Sequence, residues 1–268
     1  MKIVRKVAVA ILVTVFTAAL LAGFLAPAPY AQQFREAPDA RPSWHHPLGT
    51  DELGRDSLSR LLYGTRVSML LAPAAALLAT VIAAVLGGVA GYLGGWWERI
   101  ALGMADLSLS LPWLFLLITV RAFLPLNVSP VVSVAITFAL LGLLGWSAAG
   151  RVVCAGAKAL RNAEFVLQAQ ALGCSRWRLL FLQVLPNLKP VLFAQFWISI
   201  PLFVLTEANL GILGLGVAEP LPSWGSLLRG LEDWTAVQAN PVRLVPLLLL
   251  VIVVSCFQIV LPREDFPS

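Results

Sequence analysis

VSMLLAPAAALLATVIAAVLGGVAGYL, residues 67–93, runs for 27 positions without a charged side chain. About 20 apolar residues in an α-helix cross the hydrocarbon of a bilayer, so this stretch reads as a membrane span. Comparable runs lie at 7–25, 100–120, 131–149, 190–217 and 244–261. The composition agrees: 59% of the 268 residues are hydrophobic and 12% charged, against about 45–50% and about 25% in soluble domains. The chain is predicted to be an all-α membrane protein of six transmembrane helices. Its net charge of +5 falls between the apolar runs and reads as a topology signal, not as a nucleic-acid surface.

Six spans put both termini on one side, and the basic residues decide which. With the ends in the cytoplasm, inner segments hold 11 of the 19 Lys and Arg, including all four lysines (Lys2, Lys6, Lys158 and Lys189). The expected organisation is a first helix plus outer amphipathic segment at 1–66, a five-helix core at 67–261 containing a cytoplasmic loop at 150–189, and a cytoplasmic tail at 262–268. The first run exceeds the 7–15 residues of a signal-peptide core, so it is expected to stay as an uncleaved helix.

What is missing narrows the chemistry. No Gly-rich loop ends in Gly-Lys-Ser or Gly-Lys-Thr, so no ATP cradle is expected. His45 and His46, the only histidines, are adjacent and lack metal-ligand spacing. Cys154, Cys174 and Cys256 read as free thiols. No catalytic residue, cofactor site or metal site is expected, and the Pro-rich outer segment of about 40 residues is too short for a solute-binding domain. Outer capture therefore needs another protein.

The segment from Gly150 to Lys189 carries six basic residues and one acid, and within it runs ALRNAEFVLQAQALGCSRWRLLFLQVLPN, Ala159 to Asn187. Phe165, Leu167 or Gln168, Ala171 and Leu172 follow a helical spacing, and Gly173 sits where a left-handed residue ends a helix. Ser175 is placed to cap a second helix with Arg176, Trp177 and Arg178 in its first turns, and an apolar face of Leu179, Leu180, Leu182 and Leu185 leads to Pro186. With Ala163, Ala169 and Ala171, the two helices can form a rigid knob for another protein. The same pattern suits a helix pair lying on the anionic inner leaflet.

Two acids interrupt the spans, and each must face protein or water. Glu207, close to Asn209 and followed by Gly211, Gly214 and Gly216, reads as part of a translocation path or gate, or as an acid bonded to a neighbouring helix. Asp106 reads as a helix-packing acid, paired or snorkelling near the inner interface. In the outer segment, Thr50 or Asp51 is placed to cap a helix whose wet face carries Asp51, Glu52, Arg55, Asp56 and Arg60. With Gly54, that face is a candidate outer partner contact, or simply the amphipathic entry to the second span. Trp224 reads as an aromatic-belt residue.

The stretch QAQALG with the following LPN, HPLGTDELGRDSLSRLLYGTRVS at 46–68, and TEANLGILGLGVAEPLPSWGSLL at 206–228 together resemble the C-type permease subunit of the dipeptide, oligopeptide and nickel branch of binding-protein-dependent ABC importers. The resemblance covers about residues 45–235. It implies a bacterial inner-membrane location, a second homologous permease as heterodimer partner, two ATPase subunits that hold ATP and Mg, and an extracytoplasmic substrate-binding protein. It also implies that Phe165, Ala169, Ala171, Leu172, Gly173, Ser175, Arg176, Leu185 and Pro186 form the ATPase-coupling loop. Two departures stand out. Leu167, Gln168 and Ala169 occupy the positions of the family's Glu-Ala-Ala, and FQIVLPREDFPS lacks its usual ending. The solute expected is a di- or oligopeptide. Alternatives are nickel or another small polar solute, and, in a different class, an ion-coupled carrier using Glu207 and Asp106.

Overall fold

In a computed structural model of the chain, residues 2–123 and 128–261 are described. The helices are α1 (Lys2–Leu20), α2 (Ala22–Leu25), α3 (Ser57–Leu93), α4 (Gly95–Ser110), α5 (Trp113–Ala122), α6 (Pro130–Leu144), α7 (Trp146–Arg161) and α8 (Glu164–Ala171). They continue as α9 (Arg176–Leu179), α10 (Leu185–Asn187), α11 (Lys189–Ile212), α12 (Trp224–Arg229), α13 (Trp234–Ala239) and α14 (Val245–Val260). Among the described residues there is no strand; two isolated bridges, Gln33 with Arg55 and Thr50 with Asp56, tie the segment between α2 and α3 to itself.

Among the described residues, five helical stretches are long and apolar enough to cross a membrane, Lys2–Leu20, Ser57–Leu93, Pro130–Arg161, Lys189–Ile212 and Pro241–Val260, and the bent pair Gly95–Ser110 with Trp113–Ala122 makes a sixth if the two are taken as one span. The third expected span is not one helix. It breaks at Leu111 and Pro112 into α4 and α5, which meet at 91°, because the residue before a proline is driven out of helical geometry. Leu111 accordingly has an extended ψ of 137°.

Other boundaries move for local reasons. The second span begins ten residues before the apolar run, at Ser57, and its cap is Asp56, whose Oδ1 accepts the Ser59 amide at 2.7 Å. Neither Thr50 nor Asp51 caps it, and Ser57–Arg66 is the first part of α3 instead of a separate interfacial helix. The fourth run continues as helix through the start of the expected loop to Arg161. The tail at 262–268 lies outside the described residues.

The chain packs as two units. The first comprises residues 1–72, 120–138 and 201–268. Here α1 lies along α14 and α12 also meets α14, with small residues Ala8, Ala19 and Ala22 buried on one side and Leu250, Val253 and Phe257 on the other. The second comprises residues 73–119 and 139–200. Within it α4 packs on α7, and Tyr92, Trp146, Val153, Val166, Leu179, Leu180 and Val184 form one core.

Candidate functional site

The loop of the second unit is built from the chain outward. Ala163 precedes α8, and Gly173 takes φ +82° just beyond its end. The Cys174 amide donates to the Ala169 carbonyl at 3.1 Å and the Gly173 amide to that of Gln170 at 2.9 Å. These two bonds are a complete Schellman closure. A Cβ at Gly173 would meet nothing within 4 Å, so the glycine answers to handedness and not to space. Ser175 caps the next turn, accepting the Arg178 amide at 3.4 Å.

Beyond α9 the helix widens into a π-turn over Leu180–Val184, with the Leu185 amide donating to the Leu180 carbonyl. Pro186 has no amide to donate and its ring excludes the carbonyl four residues back. The wider turn shifts the buried face. Leu179, Leu180 and Val184 are buried, while Leu182, expected on that face, is 62% exposed and Leu185 is half-buried. In α8 the expected row is likewise offset: Val166 is the buried residue, Ala169 is half-buried, and Phe165, Leu167 and Gln168 are exposed. The outcome is an anchored loop that displays Phe165, Leu172, Trp177, Phe181 and Leu182, with Ala171, Gly173, Ser175 and Arg176 also exposed and Pro186 half-buried.

In the first unit the buried acid has a defined setting. Glu207 is wholly buried in α11. Ser68 donates to its Oε2 at 3.1 Å, and the same Ser68 hydroxyl accepts the Trp224 amide at 3.1 Å. Trp224 is not a belt residue: it is fully buried and donates Nε1–H to Thr65 Oγ1 at 3.0 Å. Closeness here rests on two glycines, since a Cβ on Gly211 would stand 2.3 Å from Gly225 Cα. The candidate path residues are not gathered. Asn209, two positions on, is exposed, and Gly214, at φ +74°, follows the helix end beside the Arg229 side chain.

Residues 63–263 match the family described as "binding-protein-dependent transport system inner membrane component". The chain belongs to this family.

Among curated relatives, this member of the family is similar to the dipeptide transport system permease protein of Bacillus subtilis, at 32% identity over 80% of this chain and 65% of the relative. It is similar also to the oligopeptide transport system permease protein of Bacillus subtilis, at 35% over 70% of this chain and 60% of the relative. A third is the di/tripeptide transport system permease protein of Pseudomonas aeruginosa, at 34% over 81% of this chain and 71% of the relative. The chain thus covers less than two thirds of the length of the two Bacillus relatives. As an inner-membrane component with several apolar helices, it is a multi-pass membrane protein.

Two further sets of candidate residues belong to this family member's ion pairs. Asp106 is paired, as one reading of the sequence has it, with Arg151 Nη1 at 2.6 Å, and both side chains are about half exposed. Between α2 and α3, Asp51 accepts from Arg55 Nε at 2.7 Å, Gly54 turns the chain at φ +71°, and Asp56 is buried against His46 Nδ1 at 2.9 Å. Arg55 and Arg60 both reach Glu219, at 2.6 and 2.9 Å.

Sequence reading missed the fastening of the segment after α11. Arg121, buried at the end of α5, donates Nε–H to the Leu215 carbonyl at 3.1 Å and an Nη2 hydrogen to Ser133 Oγ at 3.2 Å. Ser133 in turn donates to the Gly216 carbonyl at 3.3 Å and accepts the Ala218 amide at 3.1 Å. An arginine at the edge of an apolar run was the available signal, since such a residue needs polar partners to be buried.

Proposed function

We propose that the chain is the permease subunit of an ATP-driven importer of di- or oligopeptides, paired with a second homologous permease, two ATPase subunits and an extracytoplasmic binding protein. The observation that carries this reading is the anchored loop at 162–188. Its apolar underside is spent within the unit, yet Leu172 is 85%, Leu182 62% and Trp177 53% exposed. A rigid, glycine-closed knob with apolar side chains outward suits a socket on another protein.

In this reading both termini and the loop are cytoplasmic. ATP and Mg bind the partner subunits, whose closure shifts Phe165, Ala169, Ala171, Leu172, Gly173, Ser175, Arg176, Leu185 and Pro186 and thereby rocks the bundle between outward and inward access. Because the family's Glu-Ala-Ala is replaced by Leu167, Gln168 and Ala169, docking here relies on shape and apolar contact. Glu207, Asn209 and Gly214 belong to the gate, with Glu207 as its internal brace. Asp51, Gly54, Arg55 and Asp56 shape the turn that presents exposed Glu52 and Leu53 to the outer partner. The names of the three relatives favour peptides over nickel. The ion-coupled carrier has little to recommend it, because Asp106 is spent on Arg151 and Glu207 is enclosed.

The test is Gly173→Pro in the assembled transporter. Proline removes the amide bonded to Gln170 and cannot adopt φ +82°, so the variant should reach the membrane folded yet lose peptide-stimulated ATP hydrolysis. Undiminished stimulation would count against the coupling role.

A further inference from the structure

The second unit holds a cavity of about 490 Å³ whose walls include Tyr92, Arg161, Asn162, Gln170, Cys174 and Arg176. That size lies within the range of small-molecule sites, roughly 300–1,000 Å³. Its lining is mostly polar and contains two arginines and no carboxylate. Neither guanidinium has an ion pair among the described residues, and the nearby acid Glu98 pairs through Oε1 with Lys158 at 2.6 Å.

The arrangement is built. Gly94 takes φ +68°, and a Cβ there would stand 2.7 Å from Arg161 Nη1, so the glycine leaves the guanidinium its place at the cavity. Also in the lining, Gln170 Nε2 donates to the Tyr92 hydroxyl at 3.4 Å, joining α8 to the end of α3. Asn162 and Gln170 add amide donors. Two arginine forks with surrounding N–H groups match the oxygens of a phosphate, which accepts paired hydrogen bonds from planar guanidinium groups.

We infer that this cavity binds a phosphate-bearing anion, held between Arg161 and Arg176. The phosphate has two possible sources, the headgroup of an anionic phospholipid or a free anion in solution. Occupancy would brace α8 against the ends of α3 and α7, so the ligand would act on the posture of the loop and not on the solute. The inference does not depend on the transport reading, since it concerns binding alone.

Cys174 supplies the readout. It lines the cavity and is half-buried, whereas Cys154 and Cys256 are only 3% and 5% exposed. The full-length chain is placed in nanodiscs of phosphatidylcholine, and the rate of Cys174 alkylation by N-ethylmaleimide is followed by mass spectrometry. One arm adds inorganic phosphate against sodium chloride of equal ionic strength; the other replaces part of the lipid by phosphatidylglycerol. A ligand at about ten times its Kd should slow alkylation about ten-fold. Protection by phosphate assigns a free anion and protection by phosphatidylglycerol alone assigns a headgroup, and both support the site. In Arg161→Gln/Arg176→Gln the protection should vanish with melting temperature unchanged, and in Arg161→Lys it should persist in part. No slowing in either arm, or equal slowing in the double glutamine variant, would overturn the inference.

Discussion

Ser68 stands between Glu207 and Trp224, donating its hydroxyl hydrogen to the carboxyl of one and accepting the backbone amide of the other, each at 3.1 Å. One hydroxyl thus satisfies two groups in a place that water does not reach. Leaving a buried polar group unsatisfied costs about 1–3 kcal/mol. Ser68→Ala should therefore lower stability by about 1–3 kcal/mol or more, read as thermal unfolding in detergent. Thr119→Ala, which removes an exposed bond within α5, should change it by under about 0.5 kcal/mol. Equal effects would show that the buried hydroxyl has no special role.

Gly211 and Gly103 differ in what surrounds them. A Cβ on Gly211 would meet Gly225 Cα at 2.3 Å, whereas a Cβ on Gly103 would find nothing within 4 Å. Overpacking costs about 1–3 kcal/mol, and alanine in an open helical site gains up to about 1 kcal/mol over glycine. Gly211→Ala should lower the melting temperature and Gly103→Ala should hold or raise it. A tolerated Gly211→Ala would mean that α11 and α12 separate at little cost.

Glu219 and Glu98 each hold a basic side chain, in different company. Arg60 and Arg55, the partners of Glu219, are 4% and 11% exposed, whereas Lys158, the partner of Glu98, is 61% exposed. Glu219 is itself 50% exposed, so each of its two bonds is screened and worth up to about 1 kcal/mol, as is the single bond of Glu98. Glu219→Ala should thus destabilise clearly more than Glu98→Ala in paired denaturation measurements. Raised salt should narrow the Glu98 effect first.

Asp233 caps α13. Its carboxylate accepts the Thr235 hydroxyl at 2.5 Å and the Thr235 and Ala236 amides at 3.0 and 3.2 Å. These bonds, the Thr235 hydroxyl foremost, hold its carboxyl below the ordinary aspartate value. A depressed acid contributes stability above its unfolded pKa of about 3.9, and that contribution is lost as pH falls through the lower folded value. Hydrogen-exchange protection of Thr235 and Ala236, corrected for intrinsic rate, should be flat from neutral pH to about pH 5 and decline only below about pH 4. In Asp233→Ala it should be low throughout.

Legibility followed the range of the forces. The apolar runs declared the spans because hydrocarbon thickness dictates their length, and Gly173 and Ser175 declared the helix ends because handedness and capping act within a few residues. The bend at Leu111 is signalled by Pro112, but the apolar residues on both sides of it, Leu107 and Leu109 before and Trp113 to Ile118 after, read as one run. Leu182 was misplaced because a one-residue widening of the helix, forced by Pro186, rotates every side chain after it. The bonds of Arg121 to Leu215, of His46 to Asp56 and of Ser68 to Trp224 join parts of the chain 10 to 156 residues apart. No local pattern encodes such partners.

The burial of Glu207 bears on how the polypeptide is made. Ser68 leaves the ribosome long before Glu207, and Trp224 emerges soon after it. When α11 enters the bilayer, its acid thus has a hydroxyl already waiting in α3, and the later tryptophan amide closes the arrangement. A nascent chain lacking α3 would have to insert that acid alone, at a cost of about 2.5–3.5 kcal/mol for an aspartate at mid-membrane. The order of synthesis is therefore itself a part of the assembly of α11.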